Sequence, residues 1–186
     1  GERIARWAFE YMRYRGRRTI HCCHKAGVNP LSDGAFLGAF RRVGEEYPYI
    51  HQQDLGVDSL SLLLPMHPEQ LDVLLLQNLY GDIISDLCAG LVGGLGVVPG
   101  ANIGSKAAVF EAVHGTAPDI AGKGVANPLA VLLSANMLLE YVGEWKVATR
   151  IEQAIWRVLE AQKHTTRDLG GKAGTAEFTQ AIIDQL

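Results

Sequence analysis

Cysteine is scarce in this 186-residue chain, which holds only Cys22, Cys23 and Cys88. An odd count with two neighbours in sequence is a poor basis for a disulfide framework and suits a reducing compartment. Four potential zinc ligands do fall together at His21, Cys22, Cys23 and His24. An extended segment would point them alternately to opposite faces, and no second cluster completes a tetrahedral set, so zinc is not expected. No apolar run approaches the roughly 20 residues that cross a bilayer, and no membrane partner is expected. Positive charge is not in excess either: 17 Lys and Arg against 20 Asp and Glu give a net charge of -3 and a pI near 6.1. That balance gives no reason to expect nucleic acid as a partner. The local exception, Arg13, Arg15, Arg17 and Arg18, reads as the solvated end of a helix followed by a turn at Gly16. Internal repeats, low-complexity segments and a Gly-x-Gly-x-x-Gly fingerprint are all missing. The chain starts at Gly1 with no initiating Met and no signal-like segment, so an upstream part is expected.

What is present is ordinary globular material: 48% apolar residues, 20% charged and a mean hydropathy of +0.07, enough for one sizeable domain or two small ones. Ile4, Ala8 and Met12 at helical spacing predict a helix over 3–14, and Thr19 to His24 a short strand. Ser32 or Asp33 is expected to cap a helix carrying the stripe Phe36, Phe40 and Val43, which Pro48 stops. Residues 58–64 alternate too briefly to separate strand from short helix before Pro65. Residues 72–77 read as a buried strand and 83–92 as a helix, and the glycines from Gly90 to Gly104 mark a domain junction. A strand over 107–113 and helices from Pro128 to Leu139, Trp145 to Ala161 and Thr175 to Ile183 complete an α/β pattern.

The chain is organised around Asn78-Leu-Tyr-Gly-Asp-Ile-Ile-Ser-Asp86, where the strand hands over to the helix. Asp82 and Asp86 are four residues apart, so a helix sets both carboxylates on one face, one turn apart, where they repel unless a positive charge lies between them. A divalent cation with a taste for hard oxygen, Mg²⁺ or Mn²⁺, would supply it. The competing reading is an acidic helix start favoured by the macrodipole.

Four motifs in order, His24-Lys25, NLYGDIISD with its glycine-rich sequel, HGTAPDIAGKGVANP and Thr166-Arg-Asp-Leu-Gly-Gly171, resemble the isocitrate and isopropylmalate dehydrogenase family along almost the whole chain. The nearest likeness inside it is to the catalytic subunit of NAD-dependent isocitrate dehydrogenase, with homoisocitrate dehydrogenase the nearest rival. The resemblance implies metal-dependent oxidative decarboxylation of isocitrate with NAD, and an isopropylmalate-dehydrogenase-like two-domain fold present as an incomplete C-terminal half. Residues 1–93 would belong to the small domain and 94–186 to the large, NAD-binding one. The resemblance assigns the metal to Asp82 and Asp86 together with Asp58 reached across a subunit interface, and makes Lys25 the catalytic lysine, again in a neighbour's site. It makes His114, Gly115, Thr116, Ala117, Asp119, Ile120 and Asn127 the adenosine loop, with Asp119 on the ribose hydroxyls favouring NAD over NADP. From the residues alone, Lys25 would be a surface lysine at a strand end, His114 a core histidine and Asp119 a helix cap. Partners implied are a homo- or hetero-oligomer with shared sites, located in the mitochondrial matrix of a eukaryote or the cytoplasm of a bacterium.

Two departures from the family pattern stand out. Gly27 replaces an asparagine expected near the nicotinamide, and the upstream half that carries the family's substrate-binding Ser, Arg cluster and catalytic Tyr is not in the chain. Without those arginines a tricarboxylate has little to hold it. The chain is therefore expected to be inactive alone, as a fragment or as one part of an assembly. The alternatives are a homoisocitrate or isopropylmalate enzyme and a non-catalytic regulatory subunit.

Overall fold

The computed structural model describes residues 1–186, which divide into two compact units, Gly1–Cys88 and Ala89–Leu186. The first is built on a three-stranded parallel sheet of β1 (Thr19–His24), β2 (His51–Gly56) and β3 (Val73–Leu75), with β1 in the centre. Side chains of β1 alternate between two cores, as a pleated strand requires. Ile20 and Cys22 pack with α1 (Glu2–Arg15) and α2 (Ser32–Gly44), while Cys23 packs with Leu60 and Leu64 of α3 (Val57–Met66) and Ile84 of α4 (Asn78–Leu91). On α1 the buried residues Ala5, Ala8, Phe9 and Met12 recur every three or four positions, and Gly16 closes the helix at φ 64°. Phe9 is fully buried with ring centroids 5.4 Å from Phe40 and 4.8 Å from Tyr47, a burial worth about 1.5–3 kcal/mol.

Several elements differ from the sequence expectation. β2, with the polar sequence His-Gln-Gln-Asp-Leu-Gly, was hidden because an edge strand held by backbone pairing to β1 needs no apolar alternation. Residues 58–64 lie within α3, and Pro65 is inside its last turn. The strand expected over 72–77 is confined to Val73–Leu75. α4 begins at Asn78 instead of residue 83, because Asn78, Tyr80 and Gly81 carry a first turn that hydropathy alone does not mark. Asp82 is consequently in the second turn of α4, which removes the macrodipole explanation for it. Neither Ser32 nor Asp33 caps α2: both are inside the helix, and Leu31 precedes it with no side-chain cap.

In the second unit β4 (Pro99–Ile103) and β5 (Ala108–Ala112) form an antiparallel pair. β4 emerges from the glycine-rich run, where a strand was not expected. α5 (Leu129–Tyr141), α6 (Trp145–Ala161) and α7 (Thr175–Ile183) enclose a core of Leu129, Ala154, Ile155, Val158, Phe178 and Ile182. Pro128 stands just before α5 and not in its first turn. The buried Ser134 hydroxyl lies 3.3 Å from the Gly100 N–H, 2.9 Å from the Glu111 carbonyl and 2.7 Å from the Ala130 carbonyl, tying α5 to both strands. No helix is long and apolar enough to cross a membrane.

Candidate active site

Strand register explains why two residues 33 positions apart in sequence meet. β1 and β2 are parallel with His24 opposite Gly56, so Lys25 and Asp58 emerge side by side from the same end of the sheet. The Lys25 Nζ lies 2.7 Å from Asp58 Oδ1, with the Asp58 side chain 64% exposed. The Lys25 ammonium holds the Asp58 carboxyl below its ordinary range. A Cβ on Gly56 would stand 2.8 Å from Asp58 Oδ1, so a residue without a side chain leaves Asp58 this position.

The main chain of Lys25 is anchored twice. Its N–H donates to the buried Asp33 carboxylate at 2.7 Å, and its carbonyl accepts the Val28 and Asn29 N–H groups at 2.9 Å each. Burial alone would raise the Asp33 carboxyl, but the surrounding hydrogen bonds, led by the Lys25 N–H, hold it below its ordinary value. Next to it, His24 Nδ1 accepts the Ala26 N–H at 3.0 Å, which places the ring proton on Nε2, 3.5 Å from Asp54 Oδ2. Arg41, 3.0 Å from Asp54 Oδ1, is the main cause of a lowered Asp54 carboxyl. Gly27, in the turn beyond Lys25, faces open space.

Asp82 and Asp86 are both exposed, one turn apart on α4. They are two hard-oxygen donors one turn apart, which fits Mg²⁺ or Mn²⁺ in donor chemistry. No group of three His, Cys, Asp or Glu side chains within the chain is arranged to hold a metal. Asp58 therefore does not complete a site with Asp82 and Asp86 inside one chain.

In the second unit His114, Gly115, Thr116, Ala117, Asp119 and Ile120 form an exposed loop after β5, and Asn127 is half-buried just before α5. His114 is exposed, with Nδ1 2.9 Å from the Gly115 carbonyl, so the core-histidine reading does not apply. Asp119 lies inside the short 3-10 turn Pro118–Ile120, which rules out the cap reading. Ala117 is left-handed at φ 45°, a conformation costing a non-glycine residue about 1–2 kcal/mol. Strain of that kind persists where the surroundings over-determine a functional loop.

Sequence reading missed Asp33, Asp54 and Asp168. Asp33 resembled a helix cap, Asp54 was in an unrecognised strand, and Asp168 belonged to a motif with no assigned role; only the parallel register or the loop packing exposes them.

The profile of the isocitrate/isopropylmalate dehydrogenase family matches residues 1–183. The chain belongs to that family. Family membership agrees with the motif order and with the α/β fold. The isocitrate/homoisocitrate dehydrogenase of Thermus thermophilus is 51% identical over 185 residues, covering 100% of the chain and 55% of that protein. A mitochondrial protein of Dictyostelium discoideum, named as a regulatory subunit of NAD isocitrate dehydrogenase, is 47% identical over 185 residues, 99% of the chain and 52% of the relative. A crystal structure of isocitrate dehydrogenase from Methylococcus capsulatus superposes with a TM-score of 0.95 at 47% identity, over 99% of this chain and 55% of that one. The chain thus spans about half the length of the family members it matches.

Proposed function

We propose that the protein carrying this chain oxidises isocitrate and decarboxylates it to 2-oxoglutarate, with NAD and Mg²⁺ or Mn²⁺ as cofactors. The observation that carries the reading is the Lys25–Asp58 pair at 2.7 Å on the shared end of β1 and β2. When bound, the cation supplies Lewis acidity toward the hydroxyl and adjacent carboxylate, and NAD supplies the hydride acceptor. Lys25 takes the hydroxyl proton at Nζ after passing its own proton to solvent, and the Asp58 carboxylate, 2.7 Å away, pairs with the ammonium so formed. Asp33 keeps the Lys25 main chain fixed while its side chain reacts. Asp82 and Asp86 offer two carboxylates to the cation, and Asp58 of a second subunit offers the third. In the loop, Asp119 accepts hydrogen bonds from the ribose hydroxyls and repels a 2′-phosphate; His114, Gly115, Thr116, Ala117 and Ile120 pack the adenosine, and Asn127 meets the adenine.

Exposed apolar residues support a shared site. Leu62 and Met66 follow Asp58 at four-residue steps on α3, and Leu79 and Ile83 flank Asp82 on α4. Both carboxylate-bearing helix faces are thus suited to cover by another subunit, in a homo- or hetero-oligomer. Residues 1–93 act as the small-domain portion and 94–186 as the large-domain portion. The same reading locates the protein in the mitochondrial matrix of a eukaryote or the cytoplasm of a bacterium.

Homoisocitrate is the first alternative substrate, as the name of the Thermus relative includes it, and isopropylmalate the second. A regulatory subunit is the other reading, favoured by the name of the Dictyostelium relative; Lys25, Asp58, Asp82 and Asp86 together favour catalysis. The test is NADH formation from isocitrate with Mn²⁺, comparing the chain alone with a version extended upstream to the length of its relatives. The extended protein should turn over, and Lys25→Met should reduce turnover by about 10²- to 10⁴-fold. Turnover of homoisocitrate alone would replace the substrate; no NADH from any of these acids would overturn the reading.

A further inference from the structure

The motif from Thr166 to Gly171 has no part in the chemistry above, yet Asp168 reaches the loop assigned to the nucleotide. Asp168 Oδ2 accepts a hydrogen bond from Asn127 Nδ2 at 2.8 Å, and Asn127 Oδ1 accepts the Leu129 N–H at 2.9 Å, at the start of α5. We infer that Asp168 is a positioning residue for base recognition: it fixes the Asn127 side-chain amide in one orientation, so that the loop meets adenine with a defined N–H donor. The inference rests on the reading of residues 114–127 as the nucleotide loop.

An asparagine amide is nearly symmetric in shape, so an unconstrained one can offer either its carbonyl or its NH₂ to a ligand. Here a flip would press the NH₂ against the Leu129 N–H and the carbonyl oxygen against the Asp168 carboxylate. Both hydrogen bonds would be lost and both replaced by repulsion. One Nδ2 proton is engaged by Asp168, and the remaining one is the group left for the base.

The surroundings are shaped to keep this pair closed. A Cβ on Gly96 would stand 3.1 Å from Asp168 Oδ2 and 3.3 Å from Asn127 Cβ, tighter than side chains ordinarily pack, so glycine lets the two residues approach. Asp168 is presented by a tight turn in which the Leu169 and Gly171 N–H groups donate to the Thr166 carbonyl at 3.0 and 2.9 Å, with Thr166 fully buried. The same C-terminal segment grips the loop again through Thr175, whose N–H donates to Gly124 O at 2.8 Å and whose hydroxyl donates to Ala126 O at 2.5 Å.

Two measurements on the full chain test the inference. In nitrogen–proton correlation spectra, the Asn127 side-chain amide should show one slowly exchanging proton, lost in Asp168→Ala and kept in Asp168→Asn, which retains an acceptor. In NAD titrations, Asp168→Ala and Asn127→Ala should each weaken binding about threefold to tenfold, the worth of one hydrogen bond. Because Asp168 acts through Asn127, adding Asp168→Ala to Asn127→Ala should cost less than about twofold more. Fully additive losses, or an Asp168→Ala variant that binds NAD normally while Asn127→Ala does not, would overturn the positioning role. An unmutated protein extended upstream that shows the locked amide and binds no NAD would instead overturn the nucleotide reading, and the adenine role with it.

Discussion

In the first unit Lys25 and Asp58 are placed by strand register, with a carboxylate and two amides holding the Lys25 main chain. In the second, His114, Asp119 and Asn127 lie in the connection between β5 and α5, fixed near its end by Asp168 and Thr175. The contrast separates two ways of holding a functional group. The Lys25 amine is positioned by the sheet, and shifting it means disturbing a core. The segment from His114 to Asn127 is held by a few polar clamps, and such an exposed loop tolerates change at small cost to stability.

The largest expected effect comes from the core under the sheet. Phe9→Ala should destabilise the chain by about 3–5 kcal/mol in urea unfolding, whereas His114→Ala in the exposed loop should change stability by less than about 0.5 kcal/mol. Equal losses would erase the distinction between the two regions.

Next comes Asp33→Ala, expected to cost about 1–3 kcal/mol by removing a buried acceptor of the Lys25 N–H. The acid dependence has a defined sign. The Asp33 carboxyl in the folded chain sits below its ordinary value of 3.8, so the native state binds this proton less readily than the unfolded state. Its stabilisation is complete above that value and is lost as pH falls through it and below. Asp54 acts in the same direction, as does Asp72, whose carboxylate accepts the Arg18 and Thr19 N–H groups at 2.8 and 3.2 Å. Asp33→Asn should therefore flatten the stability profile below about pH 4, and an unchanged profile would show that Asp33 is not held in this way.

Thiol chemistry gives a smaller, qualitative contrast. Burial pushes the Cys22 and Cys23 thiols up to about 12, with Cys23 adding to the shift of Cys22. Neither should be alkylated at neutral pH until the first unit unfolds, so labelling times its opening. A small effect of opposite sign belongs to Ala117→Gly, which relieves the left-handed alanine at φ 45° and should stabilise the chain by up to about 1 kcal/mol. A clear loss of stability would mean the alanine methyl makes a contact that outweighs its strain.

Much of this was legible in the sequence where periodicity is strong. α1, β1, α6 and α7 were readable because their apolar spacing or apolar run has a single interpretation. β2 and β4 were not: one is polar, the other glycine-rich, and each exists because a neighbouring strand supplies backbone partners. The candidate residues themselves were recognisable from their motifs. Their supports were not, since Asp33 and Asp168 do their work through contacts with residues 8 and 41 positions away.

In the proposed enzyme, Asp82 and Asp86 hold a divalent cation whose site Asp58 of another subunit completes. Manganese titration followed by electron paramagnetic resonance tests it most directly, on the extended protein and its Asp58→Asn, Asp82→Asn and Asp86→Asn variants. Each variant should bind Mn²⁺ more weakly, and mixing Asp58→Asn with Asp82→Asn protein should restore a fraction of intact sites, since the two ligands come from different subunits. Equal Mn²⁺ affinity in all four proteins would contradict the account.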